Sequence, residues 1–487
     1  MNQTFLRFSL VALVVCASGV ASAQGLYAGS KGARVAGRAG AFVAKADDLS
    51  AIEYNPAGLA RLEGWTVQIS NRFSYNEVIF DRAPATDASG APIRFDRASN
   101  TRPLQALDPL LAVGYDLGLR DFGFALSIYS PPGTARVGFD ETQGEMSARP
   151  SGPAYMMVGR EAELLKYSLS AAYKFKDLFG VGLSAQLMHV PKLDYSLLVQ
   201  PITSRGGVGN PVSSGLDVRS EVSASAFPIF QLILGGWFKP APWLEVGLSG
   251  QVIPTTIRAN GTIELTRLAG EQEVALTRDG ALANDVQMVI PLPLMLRGGV
   301  RYVHEKNGEP LFDVELDVSY QNWSRVQNFA LDSRGLVGTL TGFAVPINTV
   351  IIEKAWRDSF TLALGGDYHL LPEKFTVRAG LGYDSAVADA GYTTPDFATG
   401  HHLTGGLGAS FFFGILELAV AYNYRHQIPV RVAETDGRIT QINPRACEMG
   451  TGADCMTVEP GGPSPVVNIG KHQAFSHSLS IDGIFRF

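Results

Sequence analysis

Three arginines and a row of carboxylates are the residues whose spacing could do chemistry. Arg297 and Arg301 lie in an alternating segment, and Asp313, Glu315 and Asp317 lie in the next one. If a turn centred near Asn307–Gly308 joins the two as a hairpin, the arginines stand opposite the acidic row. By the same reading Asp367 faces Arg378 across Leu371–Lys374. Such rows have two uses. They form a ladder of ion pairs that braces a wall and anchors whatever rests on it, or one guanidinium takes the carboxylate of a ligand. The sequence does not choose among Arg297, Arg301 and Arg378. Covalent chemistry has no comparable basis: there is no G-x-S-x-G, no H-E-x-x-H and no P-loop. The eight histidines are scattered, and His401-His402 at a loop–strand junction reads as rim rather than metal site. Neither a metal nor a cofactor is expected. A Ser-His site assembled in space stays open as an alternative.

The elements that must hold these residues begin after an export signal. Arg7 precedes an apolar run from Leu10 to Cys16, and small residues end in Ala21-Ser22-Ala23, which predicts residues 1–23 as a signal peptide and Gln24 as the mature start. Val15 is bulkier than the residue that precedes a lipidated cysteine, so Cys16 reads as part of the signal. Cys447 and Cys455 then remain, in a polar, Gly-containing segment, and in an oxidising compartment they are expected to pair as a small disulfide loop. No later run approaches the ~18 apolar residues of a membrane helix. A membrane crossing must therefore be a closed barrel, because lipid cannot satisfy an open strand edge. Net charge is −6, which argues against nucleic acid as a partner. Charged residues are only 18%, with 53 glycines and 10% aromatics, and this composition suits a barrel with a lipid-facing belt.

From Trp65 to Phe487 the hydrophobic period is two, in fourteen segments that run from Trp65–Phe80 to His472–Phe487. Their connections alternate. Gly118–Asp121, Lys176–Gly180 and Leu371–Lys374 are short; Ser130–Glu163, Pro191–Pro228 and Gln427–Lys471 are long. Short periplasmic turns and long outer loops are the pattern of bacterial barrels. The faces are legible too. Val314, Leu316 and Val318 alternate with Asp313, Glu315, Asp317 and Ser319, so the apolar set should face lipid and the polar set the lumen. The last strand ends on Phe487, which resembles the signal read by the barrel-assembly machinery. Between Gln24 and Trp65 lies a Gly/Ala-rich stretch with no strand period.

That stretch carries Gly37-Arg38-Ala39-Gly40-Ala41-Phe42, Asp47-Asp48-Leu49-Ser50-Ala51 and Asn55-Pro56-Ala57-Gly58-Leu59. It resembles the N-terminal hatch of the FadL-type (OmpP1/FadL/TodX) outer-membrane transporters of long-chain fatty acids and aromatic hydrocarbons. Tyr129-Ser130-Pro131-Pro132-Gly133, Asp317 through Trp323-Ser324, Trp356-Arg357-Asp358 and Arg378 through Tyr383-Asp384 resemble further segments of that family. The resemblance implies an all-β, 14-stranded antiparallel transmembrane β-barrel with the hatch (24–64) plugging the lumen of the barrel (65–487). It implies gating at Asn55, Pro56 and Ala57, and sideways exit beside the third strand, at Gly123, Tyr129 and Pro131. It also implies a fatty acid or aromatic hydrocarbon as ligand, outer-membrane lipid as surroundings and a monomer. Pro56 fixes its own φ and biases Asn55 to extended backbone, and the Asn55 side chain can then hold a turn. A plug has a physical purpose. A long alkyl chain gains about 0.8 kcal/mol per methylene removed from water, and a water-filled pore returns none of it. The rivals are a diffusion porin for polar solutes, a barrel enzyme acting on lipids, and an adhesin or receptor working through its loops.

Overall fold

The computed structural model describes residues 30–86, 92–131, 136–139, 152–199, 217–268, 270–340, 343–347, 349–440 and 466–487. Cys447 and Cys455 lie outside the described residues. Fourteen strands form one antiparallel barrel: β1 (Trp65–Arg82), β2 (Pro109–Tyr115), β3 (Phe122–Tyr129), β4 (Met157–Phe175), β5 (Phe179–Val199), β6 (Val218–Ala241) and β7 (Leu244–Gln251, resuming Thr256–Arg267), then β8 (Asp285–Pro291, resuming Met295–Lys306), β9 (Glu309–Gln321, resuming Asn328–Asp332), β10 (Val350–Glu353, resuming Ser359–Leu371), β11 (Phe375–Asp384), β12 (His402–Phe413), β13 (Leu416–Gln427, resuming Val430–Val432) and β14 (Gly470–Arg486). Each pairs with its chain neighbour, and β1 closes on β14 from Thr66↔Arg486 to Arg82↔Gly470. No sheet edge is left open along the wall, which is the condition for a sheet in lipid. Among the described residues no helix is long and apolar enough to cross a membrane.

The expected faces hold through the lipid-facing part. On β9, Val314, Leu316 and Val318 are exposed while Asp313, Glu315 and Asp317 are buried, and β3 alternates in the same way. Aromatic rings mark both margins. Trp65 stacks on Tyr115 near the short turns, and Tyr75, Tyr422 and Tyr424 gather with His477 at the other end. The β8–β9 hairpin turns where the sequence placed it, with Asn307 (φ 57°) and Gly308 (φ 84°) both left-handed as a two-residue hairpin turn requires.

Two features differ from the sequence reading. The second strand was expected over Leu104–Leu117, but the regular strand starts at Pro109. Leu104–Gln105 pair separately with Tyr75 and Ser74, because Asp108 turns into the bore to meet Arg72 (2.5 Å) and Lys31. The other difference is larger. β5 and β6 run 21 and 24 residues, about twice the roughly 9–11 that span a bilayer. Above the lipid belt their polarity inverts. Within the belt β5 turns Val181, Leu183 and Leu187 outward and Ser184 and Gln186 inward. Beyond Pro191 it turns Leu193, Tyr195 and Leu197 inward and Lys192 and Asp194 outward. The register slips between Met188 and Leu193 against β6 and between His189 and Lys192 against β4, a bulge that accompanies the change. The sequence read these segments as loops because the rule for a strand in lipid no longer applies where water replaces lipid on the outside and an apolar core fills the inside.

The barrel therefore has two storeys. The lower is polar inside and plugged by residues 30–64. The upper is apolar inside, packed from Val222 on β6, Ile263 on β7, Met288 on β8 and Phe329 on β9. A charge on the belt of the lower storey should be costly. Leu316→Arg is expected to destabilise the folded barrel by about 2–4 kcal/mol, read by equilibrium urea unfolding in lipid vesicles.

Candidate functional site: the hatch and the chamber above it

The hatch is short of regular structure and must find its hydrogen-bond partners elsewhere. It has two short helices, α1 (Ala33–Gly37) and α2 (Ala51–Tyr54), and a 3-10 helix over Pro56–Arg61. The wall supplies the rest. Arg38 is fully buried, and its guanidinium reaches Asp313 (2.6 Å), Asp367 (2.9 Å) and Glu315 (2.9 Å) while Nε donates to the Ala41 carbonyl (2.8 Å). Four successive amides follow. Those of Phe42 and Val43 donate to Asp317, and those of Ala44 and Lys45 donate to Glu315, at 2.6–3.2 Å. Ala33 N donates to Asp482 (2.7 Å) at the start of α1. Close approach needs wall positions without side chains. A Cβ on Gly380 would stand 2.2 Å from the Arg38 carbonyl carbon, on Gly182 2.5 Å from Ala57 N, and on Gly247 2.4 Å from the Val43 oxygen.

The residues singled out in the sequence fall as follows. Asn55 is extended (φ −158°) and caps the 3-10 helix through its Oδ1, which accepts from Ala57 N (3.3 Å). Its Nδ2 donates to the carbonyls of Val43 (2.8 Å) within the hatch and Gly236 (3.0 Å) on β6. Pro56 lies against the wall at Gly235, and the Ala57 carbonyl accepts from Trp237 Nε1 (3.0 Å). Gly123 backs onto the Leu59 carbonyl oxygen, 2.1 Å from where a Cβ would be. Tyr129 is buried, donates to Glu53 of the hatch and accepts from Gln186 (2.9 Å); Pro131 is buried just past the end of β3. The β3 ladder is unbroken on both sides, to β2 and to β4. Outside that part of the wall, Leu111, Leu126, Leu169 and Phe230 line a concavity of about 850 Å³ that faces the lipid.

Arg301 and Arg378 join the acidic ladder: Arg301 bridges Glu245 and Asp313 (both 2.9 Å), and Arg378 lies 3.4 Å from Asp367, its partner in register. Arg297 departs from the reading that set it opposite the acidic row. It stands across from Ser319, and its guanidinium turns to the hatch, to the Glu53 carbonyl (2.7 Å) and carboxylate (3.3 Å). Glu53 is buried and needs cations, and Lys166 (3.1 Å) supplies the other. Above the hatch a polar cavity of about 160 Å³ is lined by Arg72, Glu53, Arg297, Asp384 and Arg425.

The upper storey holds what sequence reasoning missed. Trp323 and Trp356 meet edge to face (5.1 Å), and Phe397 and Phe329 complete a four-ring cluster about Trp356. Set into it is a buried ionic group: Lys354 pairs with Asp396, Tyr195 Oη donates to Asp396 (2.8 Å), and Arg160 Nε donates to the Asp396 carbonyl (3.2 Å). Arg160 lies over the Phe397 ring (4.4 Å), and Lys354 lies over Phe329 (5.0 Å) and Phe397 (5.3 Å). Burial would raise the Asp396 carboxyl, but the Lys354 ammonium outweighs it and holds it below the usual range; burial pushes Lys354 down against the pull of Asp396. These four residues come from β4, β5, the bend inside β10 and the β11–β12 connection. Only the nearby Trp356-Arg357-Asp358 segment gave a sequence signal.

A closed barrel, oily outside, stoppered by its own leading segment and capped by an apolar, packed upper storey defines a class: an outer-membrane channel that excludes a free water column. The chain belongs to the outer membrane protein transport protein family (OMPP1/FadL/TodX), whose family model matches residues 14–454. This is a family of transport channels for hydrophobic compounds, not of enzymes. Its fold is similar to a FadL homologue of Pseudomonas aeruginosa, with TM-score 0.71 and 17% identity over 95% of this chain and 100% of that one. It is similar also to the toluene transporter TbuX of Ralstonia pickettii (TM-score 0.61, 16% identity, 94% and 98% covered) and to the toluene transporter TodX of Pseudomonas putida (TM-score 0.61, 15% identity, 95% and 99% covered). None of the curated proteins matches the sequence.

Arg38→Met removes the cation common to three buried carboxylates, a change that should cost the hatch about 3–5 kcal/mol. The expected result is faster liposome swelling in small sugars, with the barrel still folded by its heat-shifted gel mobility. Unchanged swelling would mean that the wall holds the hatch without Arg38.

Proposed function

We propose that the protein carries long-chain fatty acids and related hydrophobic carboxylates inward across the outer membrane by passive diffusion. The observation that carries the reading is the pair of cations, Lys354 and Arg160, buried inside an apolar aromatic chamber. An alkyl chain gains by inserting among the apolar side chains of the upper storey. A carboxylate gains from the cations, which in a dry site act more strongly than at a surface. Arg297, Arg301 and Arg378 are a weaker choice for that role, because they lie in the polar lower storey, away from the apolar cluster that an alkyl chain would bury against.

The path below the chamber is closed to an oily molecule. A polar cavity and a hydrogen-bonded hatch lie beneath it. Sideways release into the bilayer avoids both, and the lipid-facing concavity lined by Leu126 and Ile128 of β3, the strand that carries Gly123 and Tyr129 and ends before Pro131, is the candidate exit. Tyr129 links β3 to hatch residue Glu53, so hatch movement and wall movement are coupled in this reading. Asn55-Pro56-Ala57 holds the resting plug through its bonds to Val43, Gly236 and Trp237. The chain works as a monomer, loses residues 1–23 on export, and reaches the assembly machinery through its C-terminal Phe487. An aromatic hydrocarbon is the second reading, favoured by the three rings set edge to face around Trp356.

Uptake of labelled oleate, toluene and sugars in deletion and complemented cells tests the proposal. Oleate uptake should depend on the protein and sugar uptake should not; equal permeation of sugars would overturn it. Lys354→Met should weaken oleate binding about tenfold, roughly 1.4 kcal/mol, with toluene little changed. Asn55→Ala should lower oleate uptake while the barrel still folds, and full uptake would remove the gating role of that side chain.

A further inference from the structure

We propose that Asp396 is a built-in competitor for the Lys354–Arg160 anion subsite, so that the chain's own carboxylate must leave before a ligand carboxylate enters. The inference rests on the fatty-acid reading above and deepens it: Asp396 becomes a residue that decides which hydrophobic molecules are accepted.

Asp396 occupies the subsite as a ligand would. Its carboxylate accepts from Lys354, from Tyr195 Oη (2.8 Å) and from Thr394. It is not part of the barrel wall. It sits on the connection 385–401, which folds into the upper storey and places the neighbouring Phe397 in the aromatic cluster. That connection is held to the strands at its two ends, where Ser385 N donates to Phe360 O on β10 (3.0 Å) and Gly400 N to Gln427 Oε1 on β13 (3.1 Å), and between them its backbone is held by other outer segments. Arg357 N donates to Val387 O (2.8 Å), Val387 N to Thr399 O (3.0 Å), and Asn468 Nδ2 to the carbonyls of Gly391 (2.8 Å) and Thr393 (2.9 Å). Its middle, around Asp396, is not part of any strand pairing of the barrel. Charge supports exchange as well. Among the described residues no carboxylate lies within ion-pair distance of Arg160, so the subsite holds two cations against the one carboxylate of Asp396.

Competition of this kind selects. A carboxylate on a long alkyl chain brings its own charge to Lys354 and adds apolar burial that Asp396 cannot match. A hydrocarbon brings no charge and leaves Asp396 in place. A free short-chain carboxylate has little chain to bury and loses to a group already held at high local concentration.

Oleate and toluene binding to purified full-length protein, wild type against Asp396→Asn, tests the proposal. The amide keeps the shape and removes the competing charge. Oleate affinity should rise about tenfold, an order-of-magnitude figure, with toluene affinity unchanged. Unchanged or weaker oleate binding by Asp396→Asn, while Lys354→Met loses it, would overturn the competitor and leave the anion subsite standing. Unchanged oleate binding in Lys354→Met would instead overturn the fatty-acid reading. Should Asp396→Asn fail to fold, amide hydrogen exchange on the wild type decides: saturating oleate, and not toluene, should speed exchange across 385–401, and equal protection with both would overturn the proposal.

Discussion

The arrangement of this molecule depends on Arg38. A segment with little helix and no strand has been placed in the bore of a barrel, where its amides and carbonyls have no bulk water to bond. One guanidinium there takes Asp313, Asp367 and Glu315, and Glu315 together with the neighbouring Asp317 accepts the four amides of residues 42–45. Burying so many charges is tolerable because Arg38 pairs with three of the carboxylates and the hatch amides hydrogen-bond Glu315 and Asp317. The same need explains the wall glycines. An amide can reach a wall carboxylate only if the backbone comes within van der Waals distance of the strand, and a methyl on Gly182, Gly247 or Gly380 would forbid it.

From that plug the division of the barrel into storeys follows. The lower bore is polar because it must satisfy a backbone. An apolar ligand therefore has nothing to gain there, and the apolar surface lies above, where strands that outrun the bilayer fold inward on themselves. The inversion at Pro191 on β5 is the sequence-level mark of this change. Below it the outside is oil and the inside is hydrogen-bonded protein. Above it the outside is water and the inside is a core of the ordinary kind. One continuous strand obeys two opposite rules because its solvent changes along its length.

The two ionic centres play different parts for the same reason. In the lower storey Arg301 and Arg378 are matched to wall carboxylates and brace the wall, while Arg297 fixes the hatch to it through Glu53. In the upper storey Lys354 and Arg160 are set among aromatic rings, and of the two, among the described residues, only Lys354 has a carboxylate, that of Asp396, while Arg160 bonds the Asp396 backbone carbonyl. A matched ladder resists exchange; an aromatic box with surplus positive charge invites it.

By itself the sequence determined the strand segments, the lipid-facing residues, the Asn307–Gly308 turn and the Asp367–Arg378 pair. All of these follow from a period of two and from partners a short hairpin apart. The hatch was legible because its composition breaks that period. Only the tertiary structure decided that Arg297 turns to Glu53, that β4 to β6 continue well above the membrane, and that Arg160, Tyr195, Lys354 and Asp396 meet. Those four residues are separated by as many as 236 positions along the chain. Closure of the barrel and the inward fold of one connection bring them together, and no local period encodes either event.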